Sequence, residues 1–157
     1  MSVALVRVDD RLVHGQVVLG WGRPLRAGFV AVVDDALAAS PWEQELYRMG
    51  VPPELELEFV TVAGARARAA AWRDDPRVGV VLLADVATAV ALGPGGLPRP
   101  QLNLGGVHHR TGRTERLPYV FLTDEEFHAL EGLAQHGVEV TAQDVPATRP
   151  VPLAALR

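Results

Sequence analysis

The segment Val78-Gly-Val-Val-Leu-Leu83 is six residues long and carries no polar side chain. Its length and its β-branched residues predict a strand, and the lack of polar alternation indicates that both faces of this strand are covered. Similar short runs predict further strands over residues 3–8, 29–33, 57–62, 101–104, 119–122 and 138–141. The chain is therefore expected to form a sheet of seven strands.

The segments between these runs have the length and pattern of helices. Helices are predicted over residues 15–22, 41–49, 63–73, 85–92 and 124–136. Gly50, Gly93 and Gly137 follow three of them, where left-handed C-caps are expected. Thr123, with Glu126 three residues later, predicts a capping box at the start of the last helix.

The alternation of apolar strands with helices predicts the fold class. Strand–helix–strand units of this kind form right-handed crossovers between parallel strands. We therefore expect an α/β fold, in which an open, mostly parallel, seven-stranded twisted sheet carries helices on both faces as a three-layer sandwich. The length of 157 residues suits one such domain, so residues 1–157 are treated as a single unit.

Composition excludes several kinds of chemistry. All 15 basic residues are arginine and cysteine is absent, which rules out lysine Schiff bases, thiolate nucleophiles and cysteine metal sites. The net charge of -4 disfavours nucleic acid as a partner. The first residues do not resemble a secretory signal and no segment is long enough to span a bilayer, so a cytoplasmic location is expected.

The densest polar cluster, Asp-Asp-Arg-Leu-Val-His, covers residues 9–14 and follows the first strand. Ligands bind at this end of the strands in open parallel sheets. A neutral imidazole such as His14 can accept a phosphoryl group when donors hold the phosphoryl oxygens, and Arg11 and the amides of the next helix are such donors. Asp9 and Asp10 would repel a phosphate, so they are expected to hold Arg11, orient the imidazole or cap the helix. The alternative is a hydrogen-bonded structural histidine.

Other residues are placed to join this cluster. The loop that begins at Asn103 and contains Gly105 and Gly106 would lie beside it if the first and fifth strands are neighbours. The two glycines would then offer backbone amides to a ligand, although a tight turn explains them equally well. Asp34 ends the second strand and is placed either to face the site or to cap a helix. Gly15 leaves room for another chain to approach.

A second histidine-containing loop follows, at residues 108–113. Adjacent side chains in an extended segment point in different directions, so His108 and His109 are not expected to bind one metal ion. A solvated loop that faces a partner is the preferred interpretation. Arg110 and Arg113 are candidates to contact a phosphate or an acidic partner, with exposed surface arginines as the alternative.

The stretch Arg7-Val-Asp-Asp-Arg-Leu-Val-His-Gly-Gln-Val-Val-Leu-Gly-Trp21 resembles the phosphorylation motif of a known family. That family comprises the IIB components of the mannose/fructose/sorbose class of the bacterial phosphoenolpyruvate-dependent sugar phosphotransferase system. Val32-Val-Asp-Asp-Ala-Leu-Ala38 and Asn103-Leu-Gly-Gly-Val107 are also similar to loops of this family, so the resemblance spans most of the chain. The segment around His108 resembles the family less well.

The resemblance implies a phosphocarrier. His14 would receive a phosphoryl group on Nδ1 from a phosphohistidine of a IIA partner and pass it to a sugar hydroxyl presented by the membrane IIC and IID components. Arg11 would stabilise the phosphate and Asp10 would orient its neighbours. The other expected phosphate-loop and substrate-loop residues are Gly15, Gln16, Asp34, Asn103, Gly105 and Gly106. Neither a metal nor another cofactor is implied, and a homodimer is a further expectation from the family.

A regulatory protein of the same fold is the alternative function. In that interpretation phosphorylation of the chain controls a partner, and no sugar is phosphorylated; the departure around His108 and His109 keeps this possibility open. A nucleotide-binding domain is disfavoured, because neither a G-x-G-x-x-G stretch nor a P-loop follows the first strand.

Overall fold

Strands and helices alternate along the chain in the computed structural model, which describes residues 2–157. The strands are β1 (Val3–Val8), β2 (Ala27–Val33), β3 (Glu56–Val60), β4 (Val78–Leu83), β5 (Gln101–Leu104), β6 (Thr114–Leu117), β7 (Val120–Leu122), β8 (Glu139–Ala142) and β9 (Val151–Pro152). The helices are α1 (π-helical over Gln16–Gly22, then α-helical over Arg23–Leu25), α2 (Asp35–Ala38), α3 (Pro41–Met49), α4 (Val62–Asp74), α5 (Val86–Gly96), α6 (Asp124–Gln135) and a closing 3₁₀ helix (Leu153–Leu156).

Seven strands form one sheet in the order β3-β2-β4-β1-β5-β8-β9. All neighbouring pairs are parallel except β8 and β9. Successive residues of β4 enter different cores: Val81 packs with α4, α5 and α6 on one face, whereas Val80 packs with α1 and α2 on the other. The predicted fold, a mostly parallel sheet between two helical layers, is confirmed.

One predicted strand lies outside the main sheet. The apolar run at residues 119–122 does form β7, but β7 pairs antiparallel with β6 after a short turn and makes a separate two-stranded sheet. The partner β6 has the sequence Thr-Glu-Arg-Leu, which lacks the apolar pattern of a strand. The seventh strand of the main sheet is β9, which is too short to recognise from sequence and ends in a proline that an edge strand tolerates.

The predicted helix ends are mostly confirmed. Gly137 follows α6 with a positive φ of 94°, as predicted. Gly93 also has a positive φ, 67°, but its ψ is 178°, and it forms a kink after which α5 continues to Gly96. The prediction for Gly50 was wrong: its φ is -90°, and its amide donates to the carbonyl of Tyr47 over 3.1 Å, so α3 closes without a left-handed residue. The capping box of α6 is present.

No helix within residues 2–157 combines the length and the apolar character that crossing a bilayer requires.

Candidate functional site

The loops after β1 and β5 lie side by side, as predicted. Arg7 pairs with Asn103 across the two strands, and beyond the strands the amide of Asp10 donates to the carbonyl of Gly106 over 2.8 Å. The carboxyl ends of two neighbouring parallel strands therefore meet at the predicted polar cluster.

Asp9 is the centre of this cluster. Its side chain is fully buried, with Arg7 Nε 3.3 Å away, Arg11 Nε 3.2 Å away and His14 Nε2 3.3 Å away. Burial raises the pKa of Asp9, but hydrogen bonds from His14 and Arg11 and the charge of Arg7 outweigh it, so the pKa lies well below its usual range. Asp9 is consequently an anion at neutral pH.

Arg7 connects Asp9 to a distant part of the chain. Its buried guanidinium donates to Oδ1 of Asn103 over 2.5 Å, to the carbonyl of Gln143 over 2.8 Å and to that of Asp144 over 3.2 Å. Burial lowers the pKa of Arg7, and the neighbouring Asp9 carboxylate opposes this shift. The guanidinium remains a cation, because arginine keeps its charge in proteins.

His14 and Arg11 lie on the accessible side of Asp9. The side chain of His14 is 18% exposed and that of Arg11 is 39% exposed. A neutral imidazole has one donor nitrogen and one acceptor nitrogen, so when Nε2 donates to Asp9 the lone pair is on Nδ1. Arg11 uses Nε and one terminal nitrogen on Asp9, which leaves further N–H groups for an anion. The arrangement places a potential nucleophile beside a partly free cation.

The turn between Arg11 and His14 is strained. Leu12 has a φ of 55°, a left-handed conformation that costs a non-glycine residue roughly 1–2 kcal/mol. Its amide donates to the carbonyl of Asp9 over 2.9 Å. The turn allows Arg11 and His14 to contact the same carboxylate, that of Asp9.

The structure corrects the role expected of Asp10. Asp10 was predicted to be a neighbour that orients the imidazole of His14 or the guanidinium of Arg11, but Asp9 is the carboxylate that contacts both. Asp10 instead lies with Oδ1 2.6 Å from Nδ1 of His108 and accepts the His108 amide on Oδ2 over 2.8 Å. Asp9 directly follows β1 and Asp10 lies in the turn after it, so the two carboxylates reach different partners.

Gly105 and Gly106 are tightly packed against the cluster. A Cβ atom on Gly105 would lie 2.1 Å from Cζ of Arg7, and one on Gly106 would lie 2.9 Å from Oδ1 of Asp9. The amide of Gly105 donates to the carbonyl of Val8 over 2.8 Å, so the prediction that both glycines offer amides to a ligand was wrong for Gly105. These glycines make room for the side chains of the cluster.

Gly15 and Gln16 begin α1 at the edge of the cluster. Gly15 is exposed, and a Cβ atom there would meet nothing within 4 Å. The Gln16 side chain donates to Oδ1 of Asp144 over 3.1 Å, so it binds the same segment that Arg7 holds.

Asp34 lies apart from these residues. It lines an open cavity of about 550 Å³ with Leu12 and with residues of α2 and α3, among them Trp42 and Tyr47. No hydrogen bond within residues 2–157 joins the Asp34 carboxylate to the His14 cluster. Leu12 is the residue that connects the cavity to the cluster.

The loop after Gly106 has mixed roles. Arg113 was a candidate for phosphate or partner binding, but its side chain is 7% exposed and pairs with Glu126 at 2.8 Å, so it anchors the loop to α6. His109 packs edge-on against Phe121 at 5.7 Å, and Arg110 is exposed. Over the described residues, no three His, Cys, Asp or Glu side chains are grouped as metal ligands.

Sequence reasoning underestimated Arg7 and missed Gln143 and Asp144. A charged residue inside the apolar run Val3–Val8, two positions before Asp9, is a detectable sign of a buried ion pair, because alternate strand residues share a face. The contribution of Gln143 and Asp144 has no such sign, because Arg7 binds their backbone carbonyls and not their side chains.

Comparisons with known proteins all identify one family. The family described as PTS system sorbose subfamily IIB component matches residues 3–156. The chain is 30% identical over 149 residues to the N-acetylgalactosamine-specific phosphotransferase enzyme IIB component 1 of Escherichia coli (strain K12), covering 92% of each chain.

A longer relative and a solved structure extend this result. The mannose-specific EIIAB component of Escherichia coli (strain K12) is 30% identical over 149 residues, which cover 92% of this chain and 45% of that protein. The crystal structure of the N-acetylgalactosamine-specific IIB component 1 from Escherichia coli aligns with a TM-score of 0.86 and 27% identity, over 95% of this chain and 97% of that one.

Proposed function

Because this chain belongs to the sorbose-subfamily IIB components of the phosphotransferase system, we propose that it carries a phosphoryl group on Nδ1 of His14. The donor is a phosphohistidine of a IIA domain, and the acceptor is a sugar hydroxyl presented by membrane IIC and IID components. The chain would act in the cytoplasm, at the membrane permease.

The contact between His14 and Asp9 is the observation that carries this proposal. Nε2 of His14 lies 3.3 Å from a buried carboxylate that is ionised at neutral pH. With Nε2–H directed to Asp9, the nucleophilic lone pair is on Nδ1 and the ring orientation is fixed. The carboxylate also stabilises the positive charge that develops on the ring when Nδ1 bonds to phosphorus.

Arg11 supports the same proposal. Phosphoryl transfer depends mainly on positioning and on neutralising the charge of the phosphoryl oxygens. Arg11 is fixed to Asp9 by its Nε and its backbone amide, yet its side chain stays 39% exposed. The first amides of α1, at Gly15 and Gln16, add donors without intrahelical acceptors.

Two transfers complete the proposed cycle. In the first, the N–P bond of the donor phosphohistidine breaks as the Nδ1–P bond of His14 forms. In the second, a sugar hydroxyl oxygen bonds to phosphorus, the Nδ1–P bond breaks with its electron pair returning to Nδ1, and the hydroxyl proton passes to solvent. The relative named as an EIIAB component supports a IIA domain as the donor.

A phosphorylation assay tests this function. The chain is incubated with phosphoenolpyruvate, the general phosphotransferase proteins and a IIA domain, and we expect an acid-labile, base-stable phosphohistidine. The His14→Ala variant should remain unlabelled, whereas His109→Ala should be labelled like the unmodified chain, because His109 packs on Phe121 outside the cluster. Labelling of His14→Ala would overturn the proposal.

Addition of membranes that contain IIC and IID, together with sugar, separates transport from regulation. Loss of the label with formation of sugar phosphate supports the carrier role. A label that remains on the chain with every sugar tested favours the regulatory alternative.

A further inference from the structure

A second carboxylate–imidazole pair lies next to the first one. Asp10 Oδ1 is 2.6 Å from Nδ1 of His108, and Asp10 Oδ2 accepts the His108 amide over 2.8 Å. The neighbouring Asp9 makes the corresponding contact with Nε2 of His14. The two pairs therefore come from consecutive aspartates but leave opposite ring nitrogens available, Nδ1 on His14 and Nε2 on His108.

His108 borders the same small space as Arg11. The position of a Cβ atom on Gly106 would be 2.9 Å from Asp9 Oδ1, 3.1 Å from His108 Cε1 and 3.2 Å from Arg11 Nε. Cε1 is bonded to both ring nitrogens, and Nδ1 is already bound to Asp10, so Nε2 is the nitrogen next to Cε1 that is available to an incoming group. Its side chain is 54% exposed, so an incoming group can reach it.

The loop that carries His108 is held in place from two sides. Arg113 donates to the carbonyl oxygen of His108 over 2.9 Å and is itself paired with Glu126 of α6. The Val107 amide donates to the carbonyl of Tyr119, and the Val107 carbonyl accepts the amide of Phe121 in β7. These contacts hold the backbone that carries His108, and the bond to Asp10 orients its ring.

From these contacts we propose that His108 is a second phosphate-binding residue. In its protonated form, with Nδ1–H on Asp10, it donates a hydrogen bond from Nε2 to an oxygen of the phosphoryl group on His14, beside Arg11. This inference rests on the proposed function of His14. The charged groups around the ring are Asp10 at Nδ1, Asp9 and Arg11 across the space above Gly106, and Arg113 at the backbone carbonyl.

Two substitutions separate phosphate binding from a purely structural bridge. In His108→Asn, the amide nitrogen takes the place of Nδ1, which preserves the bond to Asp10 and removes Nε2. In His108→Gln, the amide nitrogen reaches the position of Nε2 and the bond to Asp10 is lost. His109→Ala is the matched control, because this adjacent histidine packs on Phe121.

The measurement uses phosphoramidate, a small donor with a P–N bond, so that no partner surface affects the rate. Labelling of His14 and hydrolysis of the phosphorylated chain are followed by ³¹P NMR. We expect His108→Asn to label roughly tenfold or more slowly, the size of effect of one lost charge-assisted hydrogen bond. His108→Gln should be slowed less, and the ³¹P resonance of the phosphorylated chain should shift in His108→Asn but not in His109→Ala.

Two results would overturn the inference. One is labelling of His108→Asn at the wild-type rate, which would show that the bond to Asp10 alone accounts for the role of His108. The other is equal slowing in the Asn and Gln variants. Thermal unfolding of each variant verifies that it is folded. If phosphoramidate labels His14→Ala as fast as the unmodified chain, the proposed function fails instead, so the two failures are distinguishable.

Discussion

Gly105 and Arg7 are packed so closely that a Cβ atom on residue 105 would lie 2.1 Å from Cζ of the arginine and 2.2 Å from one of its terminal nitrogens. The guanidinium cannot move aside freely, because it is buried and bonded to Asp9, Asn103 and Gln143. The absence of a side chain at residue 105 is therefore a condition for the buried arginine, and through it for the orientation of Asp9.

Gly105→Ala should destabilise the protein. The added methyl group forces Arg7 out of its bonds, so we expect the free energy of unfolding to fall by roughly 3 kcal/mol, with slower labelling of His14. Denaturant unfolding measures this change. Gly132→Ala is the control: a Cβ atom there meets nothing within 4 Å and the site lies inside α6, so stability should rise by roughly 0.5–1 kcal/mol. Unchanged stability of Gly105→Ala would contradict the packing argument.

Asp9→Asn should lower both stability and phosphoryl transfer. The substitution removes the anion from a buried cluster and leaves the Arg7 cation without its partner, a change that costs roughly 3–5 kcal/mol. His14 loses the carboxylate that holds Nε2, so labelling by phosphoramidate should slow at least about tenfold. The exposed Asp74→Asn serves as control and should change the unfolding free energy by less than about 0.5 kcal/mol. Wild-type labelling by Asp9→Asn would remove Asp9 from the mechanism.

The lowered pKa of Asp9 predicts the pH dependence of stability. Because the folded pKa is below the unfolded one, about 3.9, this stabilisation is fully present above that value and is lost as the pH falls through the folded pKa. The stability difference between the unmodified chain and Asp9→Asn should therefore be constant near neutral pH and shrink below about pH 4. Denaturant unfolding at a series of pH values tests this, and a difference that stays constant down to about pH 2 would argue against it.

Gly15→Ala should separate partner-dependent transfer from the chemistry at His14. Gly15 has helical backbone angles, φ -53° and ψ -42°, and open space around its Cα, so the fold tolerates alanine. The methyl group would project at the surface that we propose a IIA domain contacts, so transfer from IIA should slow while labelling by phosphoramidate stays near the wild-type rate. If Gly15→Ala matches the unmodified chain in its rate with IIA as well as in its rate with phosphoramidate, Gly15 is not at the docking surface.

Thr123→Ala should weaken the start of α6. The Thr123 hydroxyl accepts the Glu126 amide over 3.0 Å, and the Thr123 amide donates to the Glu126 carboxylate over 2.9 Å. Loss of the hydroxyl should cost about 1 kcal/mol of unfolding free energy. Thr123→Ser keeps the hydroxyl and should remain close to the unmodified chain in the same denaturant experiment.

Local patterns in the sequence were sufficient for most of the fold. The run from Val78 to Leu83 is apolar at every position, and the structure buries it between two helical layers. The capping box at Thr123 depends on residues three apart, so it too is readable from the sequence. By contrast, the sequences of β6 and β9 do not have a strand pattern of their own. Each of these short segments is a strand because it pairs antiparallel with a strand close along the chain.

The candidate site was only partly predictable, because its contacts depend on residues outside the local sequence. The position of the cluster follows from the place of residues 9–14 after β1, but the division of work between Asp9 and Asp10 depends on which side chain turns inward at the strand end. The pairing of Asp10 with His108 spans 98 positions along the chain, and contacts over such distances leave no local pattern. Glycines 105 and 106 were assigned to the right loop, yet the reason for them is the bulk of Arg7 and Asp9.

The contacts of Arg7 with the carbonyls of Gln143 and Asp144 span 136 and 137 positions, nearly the whole chain. During synthesis, these two carbonyls leave the ribosome 136 and 137 residues after Arg7. Until they arrive, a buried guanidinium lacks two of its acceptors, and burying it is unfavourable. The environment of His14 is therefore incomplete until residue 144 has been synthesised, so a nascent chain stopped before residue 143 should contain the histidine that we propose is phosphorylated, without all the contacts that hold Arg7 and Asp9 beside it.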